Sequence, residues 1–170
     1  MNNFIIFDRD GTLIEFEHYL IDPKLIKINK NTIRGLEVLI TGGFKFGIIS
    51  NQSIIGRGIA SVEQVDIINN KMLEQFHSFG INFEFVYYCP HNPIELCSCR
   101  KPSTVLGEQA ISKYQIDAGK SYMIGDMDTD IEFGNSLNLT TIKIHNKNSD
   151  IAKFTATDIL SAAEWIIGNK

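Results

Sequence analysis

Four short apolar runs in this chain each end on residues able to carry chemistry, and helical signals follow each of them. The runs cover residues 4–7, 44–49, 83–88 and 121–124; at their ends stand Asp8 and Asp10, then Ser50 and Asn51, then Cys89, then Asp126. Runs of this length and apolarity suit buried strands. Strands that alternate with helices along a chain assemble into a largely parallel sheet, with helices on both faces. Right-handed crossovers put every strand's C-terminal end on one edge of such a sheet, and ligands bind in the crevice outside that edge. The polar tips are therefore expected to meet there, and sheet geometry alone gives no reason for them.

The helical signals support this reading. Thr32 is placed to cap a helix whose Ile33, Leu36, Leu39 and Ile40 share one face, and Gly42-Gly43 ends it. Ser61-Val62-Glu63-Gln64 is a capping box. After it, Val65, Ile68, Met72, Phe76 and Phe79 form an apolar stripe closed by Gly80. Ser103 opens a helix burying Val105, Leu106, Ala110, Ile111 and Tyr114; another spans about 129–137 before a strand at 141–144. Thr157 is placed to cap a terminal helix that carries Trp165. Residues 15–31, which contain Pro23, read as a loop with a short extended piece. The expected fold class is α/β: a Rossmann-like three-layer sandwich with a mostly parallel central sheet and no large cap domain. Residues 1–170 are expected to form a single domain.

Composition narrows the function classes. With 44% hydrophobic and 21% charged residues the chain is globular. A net charge of −4 without a basic block argues against nucleic acid as a partner. The N-terminal apolar run has no basic lead and is far too short to span a bilayer, so a cytoplasmic protein without membrane association is expected. A monomer is expected. All three cysteines fall between positions 89 and 99, which in a reducing compartment points to metal more than to disulfides.

Asp8 and Asp10 alone are most simply an Asp-Gly turn closing a strand. Asp126 and Asp130 alone are equally well an acidic helix N-terminus. Four acids on one sheet edge would repel each other unless a cation sat among them, and oxygen donors with no soft ligand suit Mg²⁺. Arg57 between two glycines, and Arg100-Lys101 before Pro102, could supply positive charge to an anion, with Ser50 and Asn51 as donors. Cys89, His91, Cys97 and Cys99 make a complete tetrahedral set with no open position, hence a structural Zn²⁺ that would staple a loop containing three prolines. Buried thiols with an unrelated histidine remain the alternative.

The ordered set Asp8-Arg9-Asp10-Gly11-Thr12, Ser50-Asn51, Lys101-Pro102 and Gly125-Asp126 through Asp130 resembles the four motifs of the haloacid dehalogenase superfamily of phosphotransferases. The resemblance implies an aspartyl-phosphate mechanism: Asp8 as nucleophile, Asp10 as acid and then base, Ser50 binding the phosphoryl group, and Lys101 orienting Asp8. It further implies Asp8, Asp10 and Asp126 at Mg²⁺. Cys-Pro-His, Cys-x-Cys and Arg-Lys-Pro, with Ser-Asn-Gln-Ser and Arg-Gly, are similar to the small zinc-containing sugar-phosphate phosphatases. That likeness implies a small phosphorylated sugar or sugar-like substrate, with Asn51, Gln52, Ser53, Arg57 and Arg100 as binding residues. Asn51-Gln52-Ser53 with Arg57-Gly58 looks like the branch acting on D-glycero-D-manno-heptose 1,7-bisphosphate at the 7-position. Thr12-Leu13-Ile14 looks like the histidinol-phosphate branch, and Ile14, Phe16 and Met127 depart from the heptose pattern. An inactive relative that binds a phosphosugar or a partner is the remaining alternative.

Overall fold

The computed structural model describes residues 1–170. Six strands run in chain order: β1 (Phe4–Phe7), β2 (Lys45–Asn51), β3 (Phe85–Cys89), β4 (Tyr122–Gly125), β5 (Thr140–Ile144) and β6 (Phe154–Ala156). Five helices accompany them: α1 (Thr32–Thr41), α2 (Val62–His77), α3 (Val105–Tyr114), α4 (Asp128–Ser136) and α5 (Ile159–Gly168). The strands form one sheet in the order β3-β2-β1-β4-β5-β6, and every pairing is parallel. The chain leaves β1 for β2 and β3 on one side, then returns to β4 on the other. β1 thus borders the switch point at which such sheets open a crevice.

β1 is buried throughout because both of its faces are covered. Ile5 and Phe7 face a core with Leu36 and Leu39 of α1, Ile68, Met72 and Phe76 of α2, and Ile159 and Ile166 of α5. Phe4 and Ile6, one position out of step, face Ala110 of α3 and Phe133 of α4. This period of two across a continuous apolar run is what a strand between two helical layers requires. The three-layer α/β expectation holds, and the sheet is wholly rather than mostly parallel.

Several boundaries differ from the sequence reading. Thr32 is the first residue of α1 rather than its cap; the preceding Asn31 has φ 65° and donates from its amide to Asp158 Oδ2 at 2.7 Å. Thr157 likewise yields the cap of α5 to Asp158, whose Oδ1 accepts from the Ser161 N–H at 2.8 Å. The helix expected from Ser103 begins at Val105, and of its expected buried side only Ala110 is fully buried. The Ser61–Gln64 capping box forms in both directions, at 2.8 and 3.2 Å. Phe79 lies beyond the last turn of α2 and is exposed, whereas the other four members of its stripe are buried. β6, a strand of three residues, has no counterpart in the sequence reading because its apolar signal is too short. Residues 15–31 form a loop stitched back on itself by a bridge between Ile14 and Ile28, with one 3-10 turn at Pro23–Leu25. No helix is long and apolar enough to cross a membrane.

Candidate active site and metal centre

Asp8 directly follows β1, and its N–H donates to Ile124 O of β4 at 2.9 Å. The pairing of Phe7 with Ile124 brings the two strand ends level, so Asp8 and Asp126 stand across the switch point from one another. The chain then turns sharply: the N–H groups of Leu13 and Ile14 both donate to Arg9 O, at 3.0 and 3.1 Å. Gly11 makes this turn possible with φ +78°, and a Cβ there would lie 2.6 Å from Asp126 Oδ2. Thr12 Oγ1 reaches Asp126 Oδ1 at 3.4 Å. Beside Asp126 a cleft of about 470 Å³ opens, lined in part by Gly11, Asp128, Lys143 and His145.

Lys101 crosses from the irregular loop into this edge and is buried. Its Nζ donates to Asp8 Oδ1 at 2.7 Å and to Ile49 O at 2.6 Å, and pairs with Asp130 Oδ1 at 2.6 Å. Those three partners use all three protons of the ammonium. Burial works against its charge, but Asp8 and Asp130 outweigh burial and hold Lys101 above its ordinary pKa. Asp130, one of the acids expected at this edge, is 2% exposed. Its second oxygen accepts from the Met127 N–H at 3.0 Å, capping α4. Gly125 makes room for it, since a Cβ there would run into its carboxylate.

Asp8, Asp126 and Asp130 offer oxygens within 4.8 Å of one another, a spacing that suits a hard cation held by a few carboxylates. Without one, burial raises Asp8 to about 8 and Asp126 to about 6; Asp130 adds to both shifts, and Lys101 opposes both. The arrangement thus carries a deficit of positive charge that one Lys does not cancel.

The carboxylate of Asp10, also expected at Mg²⁺, is not in that group. Arg9 holds it through Nε to Oδ2 and Nη2 to Oδ1, both at 3.0 Å, and Gln52 Nε2 donates to Oδ2 at 2.8 Å. Gln52 is buried and also donates to Ser50 Oγ at 3.2 Å. Asn51 clamps the Lys101 peptide from both sides: Nδ2 donates to Lys101 O at 3.2 Å, and Oδ1 accepts from Lys101 N at 3.0 Å. Asn51 and Gln52, expected to touch a substrate, thus have their amides engaged within the protein. Ser53 is half-buried and Arg57 is exposed on the adjoining loop. Arg100 keeps a buried Nη1 without a hydrogen-bond partner.

The cysteine loop delivers its four donors to one point. Cys89 Sγ lies 3.6 Å from Cys97 Sγ and 3.4 Å from His91 Nδ1; Cys99 Sγ lies 3.2 Å from that nitrogen and 3.9 Å from Cys97 Sγ. A zinc tetrahedron, with Zn–S about 2.3 Å and Zn–N about 2.0–2.1 Å, has edges of about 3.6–3.8 Å. The donor set therefore fits Zn²⁺ in chemistry and in spacing. Burial pushes the Cys89 thiol up to about 12, and a bound cation would favour its thiolate.

Comparison with known proteins agrees with this architecture. Residues 98–164 match the HAD-hydrolase-like family model. The histidine biosynthesis bifunctional protein HisB of Legionella pneumophila is 36% identical over 146 residues, covering 85% of this chain and 42% of that one. Its counterpart in Buchnera aphidicola is 38% identical over 151 residues, covering 86% and 42%. The chain thus spans about two-fifths of the length of these relatives. D,D-heptose 1,7-bisphosphate phosphatase from B. bronchiseptica, solved with magnesium and phosphate, superposes with a TM-score of 0.89 at 19% identity over 99% of both chains. The corresponding Burkholderia thailandensis enzyme gives 0.70 at 16%, over 98% of this chain and 99% of that one. Residues 98–164 thus match the HAD-hydrolase-like family, and the whole chain shares the fold of these solved phosphatases.

Proposed function

We propose that residues 1–170 form one Mg²⁺-dependent phosphatase domain, acting on a small phosphorylated sugar or sugar-like compound through an aspartyl-phosphate on Asp8. The observation that carries the reading is the buried Lys101 ammonium shared between Asp8 Oδ1 at 2.7 Å and Asp130 Oδ1 at 2.6 Å. A carboxylate attacks a phosphate dianion only where the charge of both is offset, and that offset is built here before substrate arrives. Mg²⁺ held by Asp8 and Asp126, with Asp130 beside them, would polarise the phosphoryl group and take up its negative charge.

Asp8 then forms the new oxygen–phosphorus bond while the bond to the leaving oxygen breaks, and Asp10 gives that oxygen a proton. In the second half, Asp10 takes a proton from water, the water oxygen bonds to phosphorus, and Asp8 is released. Lys101 holds Asp8 in place, and Ser50 donates to a phosphoryl oxygen. Arg100, with its unpartnered Nη1, and Arg57 and Ser53 on the loop after β2 bind the rest of the substrate. Asn51 and Gln52 support Lys101 and Asp10 instead of touching substrate. Zn²⁺ at Cys89, His91, Cys97 and Cys99 fixes the loop that ends in Arg100 and Lys101.

The preferred substrate is D-glycero-D-manno-heptose 1,7-bisphosphate, cleaved at the 7-position; full-length likeness of fold to the heptose phosphatases supports it. Histidinol phosphate is the second reading, favoured by identities of 36–38% to proteins of histidine biosynthesis. Side-by-side assays with Mg²⁺ separate them. A kcat/KM at least about 10²-fold higher for the heptose substrate is expected; the reverse ratio establishes the second reading, and equally poor turnover of both overturns each.

A further inference from the structure

Arg9 stands between the two carboxylates of the opening motif, yet it is 1% exposed and the steps above give it no task. Its two-point fork onto Asp10 fixes that carboxylate in both position and rotation. Two further donors are fixed in turn: Nη2 to Gln52 Oε1 and Nη1 to Asn69 Oδ1, each at 2.8 Å. Asn69 is the polar residue on the buried face of α2, 5% exposed among Val65, Ile68 and Met72. A buried amide on an apolar helix face is costly unless it is hydrogen-bonded. Its oxygen is satisfied by Arg9, and the same bond braces the guanidinium from the side of α2. Asp10 itself keeps a fifth of its side chain open (21%), enough to meet a leaving oxygen or a water.

We infer that Arg9 is the positioning residue for Asp10, braced by Gln52 and Asn69, and that it acts in the proton-transfer steps rather than in substrate binding. The inference rests on the reading of Asp10 as acid and base. A guanidinium needed only to pin β1 to α2 would not have to aim its fork at the one carboxylate that moves a proton.

Arg9→Lys keeps the charge and loses the fork. With 4-nitrophenyl phosphate, whose leaving group needs no acid, Asp8 is still phosphorylated and the attack by water becomes slow. The expected result is a burst of about one nitrophenolate per chain, then a steady state about 10²-fold below the unmodified protein, with KM falling in step so that kcat/KM moves less than about threefold. In an Asp10→Asn background the same Arg9→Lys change is expected to cost less than about twofold, because the two residues act as a unit. If Arg9→Lys does not fold, Asn69→Leu gives the same reading: about tenfold off kcat, kcat/KM unchanged, and no further loss beside Asp10→Asn. Full activity in the folded variant, a loss confined to KM, or equal losses with and without Asp10 would each overturn the inference. An unmodified chain that turns over no phosphomonoester would instead overturn the phosphatase reading.

Discussion

The two clusters of ligating side chains are assembled in opposite ways. Cys89, His91, Cys97 and Cys99 come from a single stretch of chain with no helix or strand after β3. Asp8 and Asp126 lie 118 positions apart (126 minus 8) and meet because β1 and β4 are hydrogen-bonded neighbours. Beyond Cys89, which is buried at the end of β3, the local cluster has little apolar support: Ile94 and Leu96, the large hydrophobic residues between its ligands, are exposed. The remote cluster sits on the most deeply buried strand in the molecule. The first therefore depends on its donors for order, since such ligands gather only when metal binding offsets the chain entropy. The second is held by the sheet even while its like charges repel. One loop links them, because Arg100 and Lys101 follow Cys99 directly.

That contrast can be broken at either end. The largest effect is expected at the remote cluster: Asp8→Asn should lower turnover of any phosphomonoester by about 10⁴-fold or more while circular dichroism and melting stay near those of the unmodified chain. Lys101→Met comes next. It leaves Asp8 and Asp130 facing each other without their cation, and should cost about 3–5 kcal/mol in chemical denaturation together with about 10²–10³-fold in kcat.

At the local cluster, metal analysis of protein purified without added metal should find about one Zn²⁺ per chain. Cys97→Ser should remove it. Hydrogen exchange should then rise across residues 90–102 and leave β1 and β4 protected, with kcat reduced about tenfold through the freed Lys101. Rapid exchange in β1 as well would show that the two clusters fold as one unit.

The smallest effect is one of pH. Asp8 and Asp126 sit at about 8 and about 6 in the folded chain, against an ordinary value of 3.8, with burial the main cause. A carboxyl raised on folding binds its proton more tightly in the native state, so its stabilising effect is complete below pH 3.8 and fades as pH rises through the raised values. The melting temperature without Mg²⁺ should therefore fall between about pH 5 and pH 8. Added Mg²⁺ should recover more of it at pH 8 than at pH 5, because protons compete with the cation.

Much of this was legible in the chain. Continuous apolar runs and capped amphipathic stretches are local signals, so the order of strands and helices, the α/β class and the polar strand tips could be read directly. Asp8, Asp126 and Lys101 were recognisable as an ordered set, and the cysteine loop as a ligand set, because spacing along the chain carries that information. What escaped were partnerships across the fold. Asn51 and Gln52 have the look of substrate donors in sequence, but their amides are consumed by the Lys101 peptide and by Asp10. Asn69 gave one faint signal, a polar residue inside an apolar stripe, and nothing in the sequence named Arg9 as its partner.

The sequence by itself determined which side chains arrive at the sheet edge, because each is fixed by its place at the end of a strand. Only the tertiary structure decided what each one does there. Whether a carboxylate faces a cation, a guanidinium or open solvent depends on pairings between positions as distant as Asp8 and Lys101. Strand register, burial and the low dielectric of the interior set the strength of those pairings, and none of the three is a property of a residue's neighbours in sequence.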